Sequence, residues 1–158
     1  MLDVQTRADE LVTRLREQGY RLTPQRIAVI RALVESQDHP TVEQICARVR
    51  EDFPTTSPAT IYKTVTLLKE MGQVLELNVG GDSRHYDGAR PYSHPHLVCV
   101  RCAKILDLQT LRVSETLRVS ELAQQVARET GYEIVSYQLN LFALCPECQG
   151  QAEGIGPE

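Results

Sequence analysis

Four of the five cysteines fall into two Cys-x-x-Cys pairs, Cys99-Val-Arg-Cys102 and Cys145-Pro-Glu-Cys148. Each pair sets two thiolates on one tight turn, and two such turns complete a tetrahedral S₄ shell for Zn²⁺. The 42 residues between the pairs exceed the roughly 15–20 of a short zinc ribbon. That interval holds a helix and strands, so the metal is expected to staple the two ends of a small domain. The other readings are a redox dithiol and two unrelated pairs. A redox pair opens a helix, where the dipole lowers the thiol pKa, and the sequence after Cys145 leaves no helix to do so.

Hydrophobic residues make up 42% of the 158 and charged residues 24%, which suits one folded domain or two small ones. No apolar run approaches the ~20 residues of a membrane span, so no membrane partner is expected. Met1–Glu10 lacks the basic start and apolar core of a leader. Reduced cysteines and a cytoplasmic location are the expectation, which again favours metal over disulfides. The net charge of −4 argues against a general affinity for nucleic acid. Residues 1–88 carry 11 Lys/Arg against 13 Asp/Glu and residues 89–158 carry 6 against 8, so any DNA contact must come from locally placed cations.

The first half reads as helices followed by a hairpin. Leu11, Val12 and Leu15 mark an opening helix that stops at Gly19. Thr23-Pro24 and Ser57-Pro58 are N-caps followed by Pro at the first helical position, and Thr41 with Gln44 forms a capping box. The inner faces are predicted as Ile27, Ile30, Leu33 and Val34, then Ile45 and Val49, then Ile61, Val65 and Leu68, with Cys46 a small core residue. After Gly72 the period changes to two. Leu75, Leu77 and Val79 alternate, Gly80-Gly81 turns the chain, and Arg84–Asp87 returns. This is the order of a winged helix-turn-helix.

Beyond the turn-rich junction at 88–93, residues 96–100 and 105–108 are predicted strands. Leu117, Leu122 and Val126 mark a helix ending at Gly131, and Val135 to Ala143 alternate as a strand. The fold class is therefore α+β. A winged-helix domain is expected over residues 1–88, a metal-binding α/β domain over 89–150 and a disordered tail over 151–158. At about 70 residues the second domain needs a metal or a partner subunit for stability.

Two of the four histidines form His94-Pro-His96, just before Cys99. In extended chain, i and i+2 point to one side, so both imidazoles can meet one ion; the plain alternative is a pair of exposed polar residues. Asp87 and Asp107 are nearby carboxylates, and a His/carboxylate shell suits Mn²⁺, Fe²⁺ or Zn²⁺ where S₄ selects Zn²⁺. Taken in order, Arg21-Leu-Thr-Pro-Gln-Arg26, His39-Pro-Thr41, Ser57-Pro-Ala-Thr-Ile-Tyr62, Arg84-His-Tyr-Asp87, His94-x-His96, Lys104-Ile-Leu-Asp107 and the two cysteine pairs resemble the ferric uptake regulator family of metal-dependent repressors. The resemblance runs over residues 7–148.

It implies a structural zinc at Cys99, Cys102, Cys145 and Cys148, and a regulatory Fe²⁺ or Mn²⁺ at His39, Asp87, His94, His96 and Asp107. Aspartate at 87 and 107 resembles the peroxide-responsive branch, in which peroxide acting on bound iron would oxidise a ligand, His39 or His94. A further family site lacks its ligands here, where Ser93, Pro95 and Tyr137 stand. His85 is read as a wing-surface residue facing away from Asp87. The helix from Pro58 is either an ordinary amphipathic helix or a recognition helix, and the resemblance favours the second. Its outward residues Ala59, Thr60, Tyr62, Lys63 and Thr66 suit a major groove, with Arg16, Arg21 and Arg26 on phosphates. So few contacts on an acidic chain imply a homodimer on a palindromic double-stranded operator.

The resemblance thus implies a DNA-binding repressor of metal-homeostasis or peroxide-stress genes, not an enzyme. A manganese or iron uptake regulator without peroxide sensing is the alternative within the family. From other classes, a small metallohydrolase would need a general base that no HExxH motif supplies. A zinc-stabilised protein-interaction module would need no DNA.

Overall fold

A computed structural model describes residues 4–36, 38–80, 84–108 and 119–150. The chain forms two units that part between Tyr92 and Ser93. The predicted turn residue Gly81, the helix residue Leu117 and the tail 151–158 lie outside the described residues.

The first unit follows its capping signals. It consists of α1 (Val4–Glu17), α2 (Pro24–Glu35), α3 (Val42–Asp52), α4 (Pro58–Glu70), β1 (Leu75–Leu77) and β2 (His85–Asp87). The Thr23 and Ser57 side chains accept the N–H groups of Arg26 and Thr60, each with Pro at the first helical position. Thr41 and Gln44 exchange both bonds of a capping box. Gly72, at φ +66°, ends α4 by donating to Lys69 O at 2.9 Å. A left-handed turn of this kind satisfies orphan helix carbonyls, and glycine adopts it without steric cost.

Helix α2 is central, packing on α1, α3, α4 and β2. Val29, Ile30, Leu33, Leu11, Leu15, Ile61 and Leu68 are fully buried around it, and Cys46 is also buried. Burial of each such leucine contributes about 1.5–3 kcal/mol. Ile27, expected on the inner face, is only half-buried, because the face is centred on Val29, Ile30 and Leu33. Gly88 lies so close to α2 that a Cβ there would come within 3.1 Å of Leu33 Cβ. Strands β1 and β2 pair antiparallel, Leu75 opposite Asp87 and Leu77 opposite His85.

The second unit contains β3 (His96–Cys99), β4 (Ile105–Asp107), α5 (Val119–Thr130), β5 (Asn140–Ala143) and α6 (Pro146–Gln149). Its sheet has the order β4-β3-β5, antiparallel to β4 and parallel to β5. The strand expected from Val135 begins only at Asn140. In register, the residue opposite Leu139 would be Pro95, which has no N–H to donate to a ladder. The carbonyls of Tyr137 and Leu139 are instead taken by the Ser93 hydroxyl and the His96 N–H. Strands β3 and β4 each stop one residue short of their predicted ends, at Cys99 and Asp107. Among the described residues no helix is long and apolar enough to cross a membrane.

Candidate metal centres and nucleic-acid interface

The zinc candidate lies wholly in the second unit. Strand β3 ends on Cys99 and the turn after it carries Cys102; Cys145 is the N-cap residue of α6 and Cys148 lies within that helix. The four sulfurs lie within 4.8 Å of one another, with Cys102 and Cys145 Sγ 3.8 Å apart. Thiolates at about 2.3 Å from a tetrahedral ion would sit about 3.8 Å from each other. The Cys145 N–H donates to Cys99 Sγ at 3.3 Å. That bond, followed by one from the Cys102 backbone, holds the Cys99 thiol down to about 6. Cys148 is pushed up to about 12, first by its hydrogen bond with the Cys145 thiol and then by burial. One thiolate forms readily and a neighbour resists ionisation, as expected of sulfurs crowded together without a countercharge. A divalent cation supplies that charge, so these residues fit zinc.

The expectation that no helix follows the second pair is not met. Pro146 at the first helical position starts α6, with Cys145 as its N-cap residue. The depressed thiol is nevertheless Cys99, held by backbone N–H groups from two turns. Convergence of both pairs on one point leaves no separate dithiol of the redox kind.

Each unit also brings imidazole and carboxylate together. In the first, Asp87 ends β2, and its Oδ1 accepts the N–H groups of Ala89 and Arg90 at 2.8 and 2.9 Å. Its Oδ2 faces His39, 3.7 Å from Nε2, and both residues are buried. His39 sits in the left-handed region at φ +48°. In the second unit, His96 opposes Asp107 in the β3–β4 register. The Nε2 atoms of His94 and His96 lie 3.2 and 3.6 Å from Asp107 Oδ1, and the ring centroids are 4.3 Å apart. Both imidazoles are buried, so the alternative of two exposed polar histidines is excluded. Nitrogen and oxygen donors converging in this way fit a borderline or hard divalent ion.

His85 is not on the wing surface. It is buried, and its Nδ1 lies 2.7 Å from the carbonyl oxygen of His39. That oxygen can only accept, so Nδ1–H donates. Nor does His85 face away from Asp87: residues two apart on a strand share a side, and all three residues of β2 are buried.

On α4, Ala59, Tyr62, Lys63 and Thr66 are exposed while Ile61, Val65 and Leu68 turn inward. Thr60 is half-buried, its hydroxyl 3.0 Å from Ser57 Oγ. The Tyr62 hydroxyl donates to Glu43 at 3.4 Å. Arg16 and Arg21 are exposed, and Arg26 is half-buried and donates to the Arg21 carbonyl. A feature absent from the sequence reading is Glu76 on β1, which pairs with Lys69 of α4 and, at 2.6 Å, with Arg84 before β2. Opposite charges seven and eight positions apart, across a change from helix to strand, give no periodic signal.

The ferric uptake regulator family model matches residues 17–142. The peroxide-responsive repressor PerR of Staphylococcus aureus (strain USA300) is 36% identical over 141 residues, covering 89% of this chain and 90% of the relative. The Campylobacter jejuni peroxide stress regulator superposes with a TM-score of 0.65 at 26% identity, over 87% of this chain and 98% of that one. The Helicobacter pylori ferric uptake regulator Fur, described as having three functional metal binding sites, superposes with a TM-score of 0.72 at 22% identity, over 94% and 95%.

Proposed function

The chain belongs to the ferric uptake regulator family, whose members are metal-responsive transcriptional regulators and not enzymes, and on that premise we propose that it is a cytoplasmic homodimeric repressor binding a palindromic operator. The ligands of its regulatory metal are His39, Asp87, His94, His96 and Asp107, and those of its structural zinc are the four paired cysteines. The observation that carries the reading is the end of β2. The strand of the wing terminates in Asp87, with one carboxylate oxygen held by backbone N–H groups and the other turned to an imidazole.

A dimer is supported by α5, none of whose residues is buried. Leu122, Val126, Tyr132, Ile134, Val135, Leu141 and Phe142 are all exposed large hydrophobics, more apolar surface than a small unit keeps in water. Contact with the major groove falls to Ala59, Thr60, Tyr62, Lys63 and Thr66 of α4, with Arg16, Arg21 and Arg26 on phosphates.

Within the family the chain takes the peroxide-responsive role. Aspartates at 87 and 107 support this, as does the identity to a peroxide-responsive repressor. Iron, when bound, supplies the one-electron chemistry through which peroxide oxidises a neighbouring imidazole. The residues contribute the rest: His39 and His94 are buried imidazoles beside carboxylates, held so that damage is local.

The test is selection of operator from random-sequence duplex DNA with Mn²⁺, followed by affinity measurements with Fe²⁺ before and after peroxide. Tight binding that needs metal, and that is lost with a 16 Da increment on the His39 or His94 peptide, is expected. Equal affinity after stripping the regulatory metal would overturn the repressor mechanism. Peroxide-resistant binding would move the chain to manganese or iron uptake control.

A further inference from the structure

We propose that His85 is a positioning residue for His39, holding the backbone of that ligand in its left-handed conformation and tying it to the wing. The inference rests on His39 being a regulatory ligand.

A residue with a Cβ rarely adopts positive φ, and such residues persist where the surroundings over-determine them. His39 has φ +48°, and the restraint comes from one strand. The His85 Nδ1–H donates to the His39 carbonyl at 2.7 Å. The next N–H along, that of Tyr86, donates to Pro40 O at 3.1 Å. Thr41 and His85 form an antiparallel bridge. Three consecutive residues, His39 to Thr41, are thus fastened to β2, with the imidazole of His85 nearest the ligand. His39 and His85 are both buried, so water does not replace the bond at low cost.

Residues two apart on a strand share a side. The side of β2 that presents Asp87 therefore also presents the group that holds His39. A shift of β2 moves both members of the pair together. Whatever grips the wing thereby acts on the metal ligands, and the coupling is reciprocal. Groups that orient a ligand in this way typically change metal affinity 10–100-fold when removed.

The experiment measures Mn²⁺ affinity of the zinc-loaded full chain for His85→Leu, which lacks a donor, and His85→Gln, whose amide can reach the same carbonyl. His85→Leu should weaken Mn²⁺ binding 10–100-fold, with His85→Gln restoring it to within about threefold of the parent. In the parent, long-range ¹H–¹⁵N spectra of the imidazole should show the proton on Nδ1; a His85 protonated only on Nε2 would overturn the proposal even if His85→Leu fails to fold. Equal losses in His85→Leu and His85→Gln would also overturn it. His39→Ala serves as the control. If it binds Mn²⁺ like the parent, the ligand assignment falls and this inference with it. If it loses Mn²⁺ while His85→Leu does not, only the inference falls.

Discussion

Arg7 and Gln73, 66 positions apart, are joined twice by one guanidinium, to the side-chain oxygen at 3.2 Å and the backbone carbonyl at 3.1 Å. The Arg7 Nε donates a third, longer bond to Gly88 O at 3.4 Å. Gln73 precedes β1 and Gly88 follows β2, so α1 holds both ends of the hairpin at its base. Arg7 is buried, and burial lowers its pKa, opposed by Glu10. Replacement should cost more than its few contacts suggest, since three carbonyl oxygens lose a donor. Arg7→Met should lower the free energy of unfolding by about 1–3 kcal/mol, against about 0.5 kcal/mol or less for the exposed Arg14→Met. Urea denaturation with zinc content measured in parallel checks this; the zinc should not change.

Removing the zinc tests a different dependence. Cys99→Ser or Cys148→Ser should release about one Zn²⁺ per chain and abolish the dimer, because a unit of this size folds poorly without its staple. Mass spectrometry under native conditions reads both quantities at once. A metal-free parent that stays a folded dimer would contradict the structural role.

Separation of the two metal functions follows from their ligands. His94→Ala and Asp107→Ala should keep zinc and dimer but lose metal-dependent operator binding, read by fluorescence anisotropy with and without Mn²⁺. Asp107→Glu keeps the charge and lengthens the reach by one methylene, so metal binding should survive while the peroxide response falls.

The α4 surface makes its own prediction. Lys63→Ala and Tyr62→Ala should weaken operator binding at constant metal content. Lys63→Ala should also reduce the slope of log affinity against log salt by about one, as expected of a lost phosphate contact.

Glu76 gives a pH dependence with a defined sign. Burial is the largest influence and would raise its pKa, but the hydrogen bond and charge of Lys69, aided by Arg84, hold it below the ordinary carboxylate range. A carboxylate depressed in the folded state stabilises above its unfolded value of about 4.3, and the contribution is lost as pH falls through the folded value. Glu76→Gln should therefore be less stable than the parent at neutral pH, by about 0.2–1 kcal/mol per ion pair. The two stability curves should converge as pH falls through the lowered value of Glu76, as thermal denaturation across pH would show.

What was legible in the sequence was local. Thr23-Pro24, Thr41 with Gln44 and Ser57-Pro58 cap helices because the capping bonds span three residues. The cysteine pairs and His94-Pro-His96 could be read because ligands on one turn or strand keep a fixed spacing. His85 was misread because it stands two residues before Asp87, which places both on one side of the strand, and because its partner carbonyl is 46 positions away. The alternation from Val135 was real as a pattern but not as a strand. Whether a strand forms depends on the neighbouring segment, and there Pro95 interrupts the ladder. The Lys69–Glu76–Arg84 cluster needed the angle between helix and wing, which no periodicity encodes.

The parallel pairing of β3 with β5 has a consequence during synthesis. Strands β3 and β4 leave the ribosome together, yet the other edge of β3 stays unpaired until β5 arrives. The sulfurs of Cys102 and Cys145 are 43 positions apart. At ~5–20 residues per second that delay is roughly 2–9 s. Throughout it the nascent chain carries an open strand edge, a template for pairing with other chains, and half a set of thiols. Cys145 and Cys148 emerge just behind β5, so the thiol shell can be completed only after the strand that closes the sheet has been made.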